Sequence, residues 1–150
     1  MGLCILASGS VVKVYAAVAA FSLVWTHSVE KIEWREDWRV DRDHLALVEA
    51  HVHGIGAGME PPADARRDET GWTWTPHVEP LPSVTLRRSG VVADWRLCVD
   101  GGCAVLATMV PADADPVLLK ACNAPDESLA RAPVYDAAVH AGSEGGTRAR

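Results

Sequence analysis

Histidine and acidic side chains at short spacings are the residues of this 150-residue chain that could do chemistry. His27 directly precedes Ser28, but adjacent residues of a strand point to opposite faces, so the imidazole cannot activate that hydroxyl. Glu36 lies on an otherwise apolar strand face, where an unpaired carboxylate would be costly, and His27 is its natural partner. For such a buried pair we favour a structural role over a role in a ligand pocket.

Two further histidines stand at alternate positions of one strand. His51 and His53 share a face with Glu49, and this spacing could hold a metal ion if another element supplied further ligands. Histidines two residues apart also occur by chance on solvated strand faces. We therefore predict no metal site and keep His51 and His53 as weak candidates.

The glycine-rich run Gly54-Ile55-Gly56-Ala57-Gly58 follows a strand, as a dinucleotide-binding loop does. Such a loop also needs a helix that opens at its last glycine, and Met59-Glu60-Pro61-Pro62 forbids one here. The run therefore predicts no nucleotide cofactor. It is either a plain turn, which composition favours, or a loop whose backbone amides could bind an anion. No catalytic residue and no cofactor are predicted.

One pair of cysteines lies in a hairpin. Asp100-Gly101 predicts a two-residue type I′ loop, which sets Cys98 opposite Cys103 with ~4.5 Å between their Cα atoms. This separation is at the short end of the range for disulfides. The two sulfurs form either a disulfide, which we favour, or a pair of adjacent thiols.

The other two cysteines, Cys4 and Cys122, have no companion motif. We predict that both are ordinary buried or half-buried thiols. A zinc site is less favoured because the hairpin supplies only two ligands.

Composition limits the partners. The net charge of −6 argues against nucleic acid or an anionic membrane as the main partner, since both require a basic face. Six tryptophans against one phenylalanine and two tyrosines favour a β architecture, or a surface that contacts a ligand or partner. Core and half-buried strand positions are the simpler interpretation for most of them.

Localisation is predicted from two opposing signals. No apolar run reaches the ~20 residues that a membrane-spanning helix needs, and no signal-peptide pattern is visible. A Cys98–Cys103 disulfide would favour an extracytoplasmic location, whereas two free thiols would favour the cytoplasm.

Short strands separated by turn signals carry these residues. Alternating patterns predict strands over 21–29, 32–40 and 44–53, after a hairpin at Ser8-Gly9-Ser10. The alternation shifts by one residue at Lys31, which indicates either a bulge in one long bent strand or a two-residue loop. We favour the bent strand because Lys31-Ile32 lacks turn chemistry; the loop would pair Trp25 with Trp38.

The predicted fold is all-β: a single antiparallel sandwich or small barrel over residues 1–107. Residues 108–150 are predicted to form a C-terminal extension. Its one short helix begins at Asp115-Pro116 and closes at Asn123, and a flexible, disordered tail follows it.

Three motifs together resemble one particular family. They are Trp25-Thr26-His27-Ser28-Val29-Glu30-Lys31 with Trp34 and Glu36, then Gly56-Ala57-Gly58-Met59-Glu60-Pro61-Pro62, and then Asp94-Trp95-Arg96-Leu97-Cys98-Val99-Asp100-Gly101. Over roughly residues 2–106 the chain resembles the uncharacterised small proteins whose genes sit beside TRAP-type transporters of the TAXI class. The resemblance implies an accessory or regulatory role in the ion-driven uptake of a small organic solute. Similar members often carry an N-terminal hydrophobic segment, so we expect either a start further upstream or a cytoplasmic protein.

We therefore expect a non-enzymatic accessory protein whose partner is a TRAP transporter component or its substrate-binding protein, with a small organic anion as a candidate ligand. The predicted contact surface combines a charged bend and a glycine loop; its residues are His27, Ser28, Glu30, Lys31, Glu36, Gly56, Gly58 and Met59. The alternative is a small-molecule or metal-binding module on which His27, Glu36, His51 and His53 converge. An enzyme is the least favoured class because no nucleophile–base pair supports it.

Overall fold

A computed structural model describes residues 1–26, 31–54 and 61–122 of the chain. Within these ranges the chain forms eleven β-strands and one short 3-10 helix, arranged as two antiparallel sheets that share one hydrophobic core. The all-β prediction is confirmed, and the sheets form a sandwich rather than a closed barrel. No helix in this part of the chain is long and apolar enough to span a membrane.

The smaller sheet has four strands in the order β2-β1-β11-β8. Their bounds are β1 Gly2–Ala7, β2 Ser10–Tyr15, β8 Val84–Leu86 and β11 Val117–Cys122.

The larger sheet has seven strands in the order β10-β9-β3-β4-β5-β7-β6. Their bounds are β3 Ala20–Thr26, β4 Glu33–Asp41, β5 His44–His53, β6 Arg66–Asp68, β7 Gly71–Trp74, β9 Arg96–Val99 and β10 Gly102–Val105. The 3-10 helix, Leu106–Thr108, follows β10.

Both predicted tight hairpins are present. Ser8 and Gly9 connect β1 to β2 with φ angles of 55° and 80°, and Asp100 and Gly101 connect β9 to β10 with φ angles of 51° and 82°. Positive φ at both central residues is what a type I′ turn requires. Turn chemistry in the sequence therefore places these two loops correctly.

The prediction of one bent strand through Lys31 is wrong. β3 and β4 are separate antiparallel strands, and Trp25 pairs with Trp34. The alternative two-residue loop, with Trp25 opposite Trp38, is also absent. The shift in alternation marks a chain reversal, and Lys-Ile cannot supply a two-residue turn, so a longer connection joins the strands.

The predicted strand over 44–53 is confirmed with the same bounds as β5. One irregularity interrupts its pairing with β4: Trp38 pairs with Leu47 and Asp37 with Glu49, which leaves Val48 as an extra residue. Beyond such a bulge, the alternation of side chains between the two faces of the strand is shifted by one residue. Leu47 and Ala50 therefore lie on the same face of the sheet.

The predicted helix after Asp115-Pro116 is wrong, because this segment is strand β11. It lies between β1 and β8, and Val117 and Leu119 are completely buried on its core side. Pairing on both edges outweighs the local helix signal, as tertiary contacts often do. The predicted disordered tail lies outside the described residues.

The core lies between the two sheets. Side chains from both contribute to one cluster, and its largest buried members include Leu3, Ile5, Phe21, Leu23, Trp38, Val40, Leu45, Leu86, Leu97 and Leu119. The smaller sheet therefore packs against the inner face of the larger sheet.

The prediction that Cys4 and Cys122 are ordinary thiols is wrong, because they form a disulfide with 5.9 Å between their Cα atoms. The bond links adjacent strands β1 and β11, 118 residues apart in sequence. No local motif could indicate it, since it depends on the pairing of the two ends of the described chain. The predicted disulfide between Cys98 and Cys103 is confirmed, with a Cα separation of 4.0 Å.

A buried ion pair ties the segment before β9 to the segment before β11. The side chain of Arg88 donates two hydrogen bonds to the carboxylate of Asp94, at 3.0 and 2.8 Å, and two more to the carbonyl oxygens of Pro111 and Ala114. Burial alone would raise the pKa of Asp94, but hydrogen bonds from Arg88 and from the Trp95 backbone lower it below its ordinary value. Asp94 of the third sequence motif thus has a structural role.

The two disulfides are expected to stabilise the fold unequally. A chain-entropy estimate gives about 5 kcal/mol for a loop of this length closed by Cys4–Cys122 and about 2 kcal/mol for the Cys98–Cys103 loop. In urea unfolding followed by circular dichroism, the pair Cys4→Ala/Cys122→Ala should lose more stability than the pair Cys98→Ala/Cys103→Ala. A larger loss from the hairpin pair would contradict this ranking.

Candidate functional site

Four tryptophans form a continuous row on the inner face of the larger sheet. Trp25 stacks on Trp34 with 5.9 Å between ring centroids, Trp95 contacts Trp25 at 4.9 Å, and Trp74 meets Trp34 edge-on at 6.1 Å. We call Trp95, Trp25, Trp34 and Trp74 the tryptophan row. Its members come from β3, β4, β7 and the residue before β9, so the fold assembles it from parts of the chain that are distant in sequence.

The row begins at the margin of the core and continues beyond it. Trp25 and Trp95 pack against the edge of the core cluster, whereas Trp34 and Trp74 lie outside it. All four side chains are only partly buried. Trp38, by contrast, is on the same strand face as Trp34 but is buried beneath the smaller sheet. Among the described residues, the smaller sheet therefore covers only part of the inner face of the larger sheet.

Glu36 stands on the same face, between Trp34 and Trp38 on β4. Its cross-strand neighbours are Leu23 and Ala50, so its surroundings are apolar. Burial raises the pKa of Glu36, and a hydrogen bond of 3.2 Å from the Trp38 indole nitrogen Nε1 to Oε2 partly opposes that increase. This face thus holds a carboxyl group whose protonated form is favoured more than usual.

The indole of Trp34 supplies a second polar group. Its Nε1 atom is buried and has no hydrogen-bond partner within the described part of the chain. Buried donors of this kind normally find an acceptor, because leaving one unpaired costs free energy. The row therefore offers one donor as well as aromatic surface.

Most of the predicted contact surface lies outside the described residues. This holds for His27, Ser28, Glu30, Gly56, Gly58 and Met59. Lys31 is described: it is exposed and adopts the left-handed region, with φ of 60°. Of the predicted contact residues that are described, Glu36 is the one that lies beside the tryptophan row.

The described strand ends that flank the two sequence stretches of that prediction lie near the row. Thr26 pairs with Glu33 where β3 ends and β4 begins, and one position further in, Trp34 pairs with Val52 near the end of β5. The described residues Thr26, Glu33 and Val52 therefore lie at the end of the sheet where Trp25 and Trp34 lie.

The structure does not bring the described residues of the predicted metal set together. His51 pairs with Arg35 and Thr73, on the face opposite to Glu36, and its Nδ1 lies 2.8 Å from the Thr73 hydroxyl. His53 follows on that same outer face and is exposed. Among the described residues no group of three or more metal-ligating side chains occurs. Glu36 therefore cannot share one ion with these histidines.

Sequence reasoning noted the abundance of tryptophan but did not find the row. The available signal was the alternation of Trp72 with Trp74, and of Trp34 with Trp38. This alternation indicates a shared face within each strand, but only the cross-strand register shows which strands meet.

A comparison with family models identifies the chain. A model described as a domain of unknown function, DUF1850, matches residues 21–106. The chain belongs to this family. The matched region contains the tryptophan row, Glu36 and the Cys98–Cys103 hairpin, so membership of an uncharacterised family, as the three motifs predicted, is confirmed.

Curated proteins and solved structures give no match to the chain. The association with TAXI-type transporters therefore stays a prediction of the sequence motifs.

The raised pKa of Glu36 predicts a specific pH dependence. Because the folded protein holds the proton more tightly than the unfolded chain, the wild type loses stability as the pH rises through the interval above the ordinary value of 4.5. Glu36→Gln removes this titration. Urea unfolding between pH 4 and pH 8 should show the variant gaining stability relative to the wild type as pH increases; a pH-independent difference, or a variant that loses stability relative to the wild type as pH increases, would contradict the assignment.

Proposed function

We propose that this DUF1850 protein is a non-enzymatic accessory or regulatory protein of a TAXI-type TRAP solute uptake system. It acts by contact with a protein or small ligand at the tryptophan row. The observation that carries the proposal is the row itself: four partly exposed indoles in mutual contact, beside one half-buried carboxyl group.

Such a surface is suited to binding. Tryptophan provides a large, rigid apolar area together with one N–H donor, and it is enriched at the energetic centres of interfaces. Trp34 has both properties here, because its ring lies in the middle of the row and its Nε1 is unpaired within the described residues.

The transporter association rests on the three sequence motifs. They resemble proteins encoded beside TAXI-type transporters, and two of them contribute residues to the row: Trp25 and Trp34 come from the first, and Trp95 from the third. The partner we propose is accordingly a transporter component or its substrate-binding protein. A small organic anion remains the proposed ligand class for the segments 27–31 and 56–59, whose charged side chains and backbone amides suit it.

A small-molecule-binding module is the second candidate function. Glu36 and the Trp34 indole lie on one face of β4, which favours a ligand with both an apolar body and a polar group. The metal-binding form of this alternative has lost its support, since Glu36 lies on the opposite face from His51 and His53.

Recovery of partners from native membranes tests the proposal. The tagged wild-type protein should co-purify with a TRAP transporter subunit or with the substrate-binding protein. Trp34→Ala should reduce that recovery by at least about tenfold, as expected for a central aromatic contact. Val12→Ala is the control, because it removes exposed apolar surface from β2 of the other sheet, and it should keep the interaction.

Circular dichroism and thermal unfolding establish that both variants are folded. Recovery of no transporter protein with the wild type would contradict the accessory role. Equal recovery with wild type and Trp34→Ala would instead contradict the row as the contact surface.

A further inference from the structure

The outer face of the larger sheet carries a second feature, unconnected with the tryptophan row. A groove of about 390 Å³ opens over strands β3, β4, β9 and β10, and both half-cystines of the Cys98–Cys103 disulfide line it. Ser22 and Asp37 lie beside them, because Ser22 pairs with Cys98 on one side and with Asp37 on the other. The disulfide is therefore part of the wall of a surface groove.

Polar groups fix the floor of this groove. The Ser22 hydroxyl donates a hydrogen bond of 2.5 Å to Oδ1 of Asp37, and Nε of Arg35 donates one of 2.8 Å to the same oxygen. The side chains next to the disulfide are thus held in place by each other. Both cysteines of the disulfide line the same groove as these polar side chains.

The two disulfides of the chain differ in their access to solvent. Cys103 is exposed and Cys98 partly buried, whereas Cys4 of the other disulfide is only 2% exposed. Thiol–disulfide exchange requires a thiolate to reach one sulfur along the S–S axis, so its rate depends strongly on access. The hairpin disulfide therefore has one exposed cysteine, whereas the Cys4–Cys122 disulfide has one buried and one partly buried cysteine and is the less accessible of the two.

Contacts other than the hairpin disulfide also hold β9 in position. The disulfide joins residues only five apart in sequence, across a loop that its own turn already closes. Strand β9 also remains paired with β3, and Leu97 anchors it in the core. Breaking the bond therefore leaves the strand in position, as a reversible reaction requires.

We infer that the Cys98–Cys103 groove is a thiol–disulfide exchange site whose reaction partner is a dithiol. A thiolate of the dithiol attacks Sγ of Cys103, the S–S bond breaks, and its electron pair leaves on Sγ of Cys98, which takes a proton from water. The second thiolate of the partner then displaces Cys103 from the mixed disulfide, and that sulfur is protonated in turn. Two electrons and two protons pass to the chain, and the dithiol becomes a disulfide.

Stepwise reduction of the full-length wild type tests the inference. The protein is treated with increasing dithiothreitol, quenched with iodoacetamide and mapped by peptide mass spectrometry, with circular dichroism recorded in parallel. Cys98 and Cys103 should be alkylated at least about tenfold faster than Cys4 and Cys122, because the Cys4–Cys122 bond has no exposed cysteine and its Cys4 side is buried. The β-sheet signal should persist, and oxidised dithiothreitol should restore the bond.

Simultaneous reduction of both disulfides, or resistance of Cys98–Cys103 until the protein unfolds, would overturn the inference. Either result would make the hairpin bond a structural clamp only. This readout needs no variant and is independent of whether a transporter partner is found.

Two single variants test which sulfur is attacked. Cys98→Ser leaves the Cys103 thiol, and Cys103→Ser leaves the Cys98 thiol. With oxidised glutathione as the probe, the mixed disulfide should form faster on Cys103, since it is the more exposed sulfur. Faster modification of Cys98 would overturn the assigned direction of attack.

Discussion

The pairing of Trp25 with Trp34 across β3 and β4 determines which side of the larger sheet every aromatic residue faces. Because strand side chains alternate, residues paired across strands share a face, and a slip of one position would send each of them to the opposite one. From this register follow the edge-to-face contact of Trp34 with Trp74 across β5 and β7, and the burial of Trp38. The same register places Ser22 and Asp37 on the outer face, beside the hairpin disulfide.

The unequal size of the two sheets explains why one inner face serves as both core and candidate site. The four strands of the smaller sheet cover Phe21, Leu23 and Trp38, and the seven-stranded sheet extends beyond them. Trp34 and Trp74 lie on this extension, outside the core cluster formed by the described residues. The Cys4–Cys122 disulfide links β1 to β11 within the smaller sheet, so these two strands are joined covalently as well as by strand pairing.

The features that the sequence predicts correctly each depend on residues that are close together in the chain. The Asp100-Gly101 turn, the bounds of β5 and the Cys98–Cys103 pairing all follow from turn chemistry and alternation over a few residues. Cys4–Cys122, β11 and the tryptophan row depend on pairings between distant segments, for which a single sequence contains no signal. The predicted helix shows the same limit: the local signal at Asp115-Pro116 predicts a helix start, but pairing with the neighbouring strands β1 and β8 makes the segment a strand. Of the residues at the candidate site, the sequence indicates Glu36, because a charged residue on an otherwise apolar strand face is unusual.

Nuclear magnetic resonance of the indole N–H groups tests most directly whether the tryptophan row is the contact surface. The protein is labelled with 15N and titrated with the substrate-binding protein of a TAXI-type transporter, and the backbone amides of β2 serve as an internal reference on the opposite sheet. Our account predicts that the indole signals of Trp25, Trp34 and Trp74 shift or broaden while the β2 amides stay unchanged. Unchanged indole signals, with or without changes in β2, would contradict it.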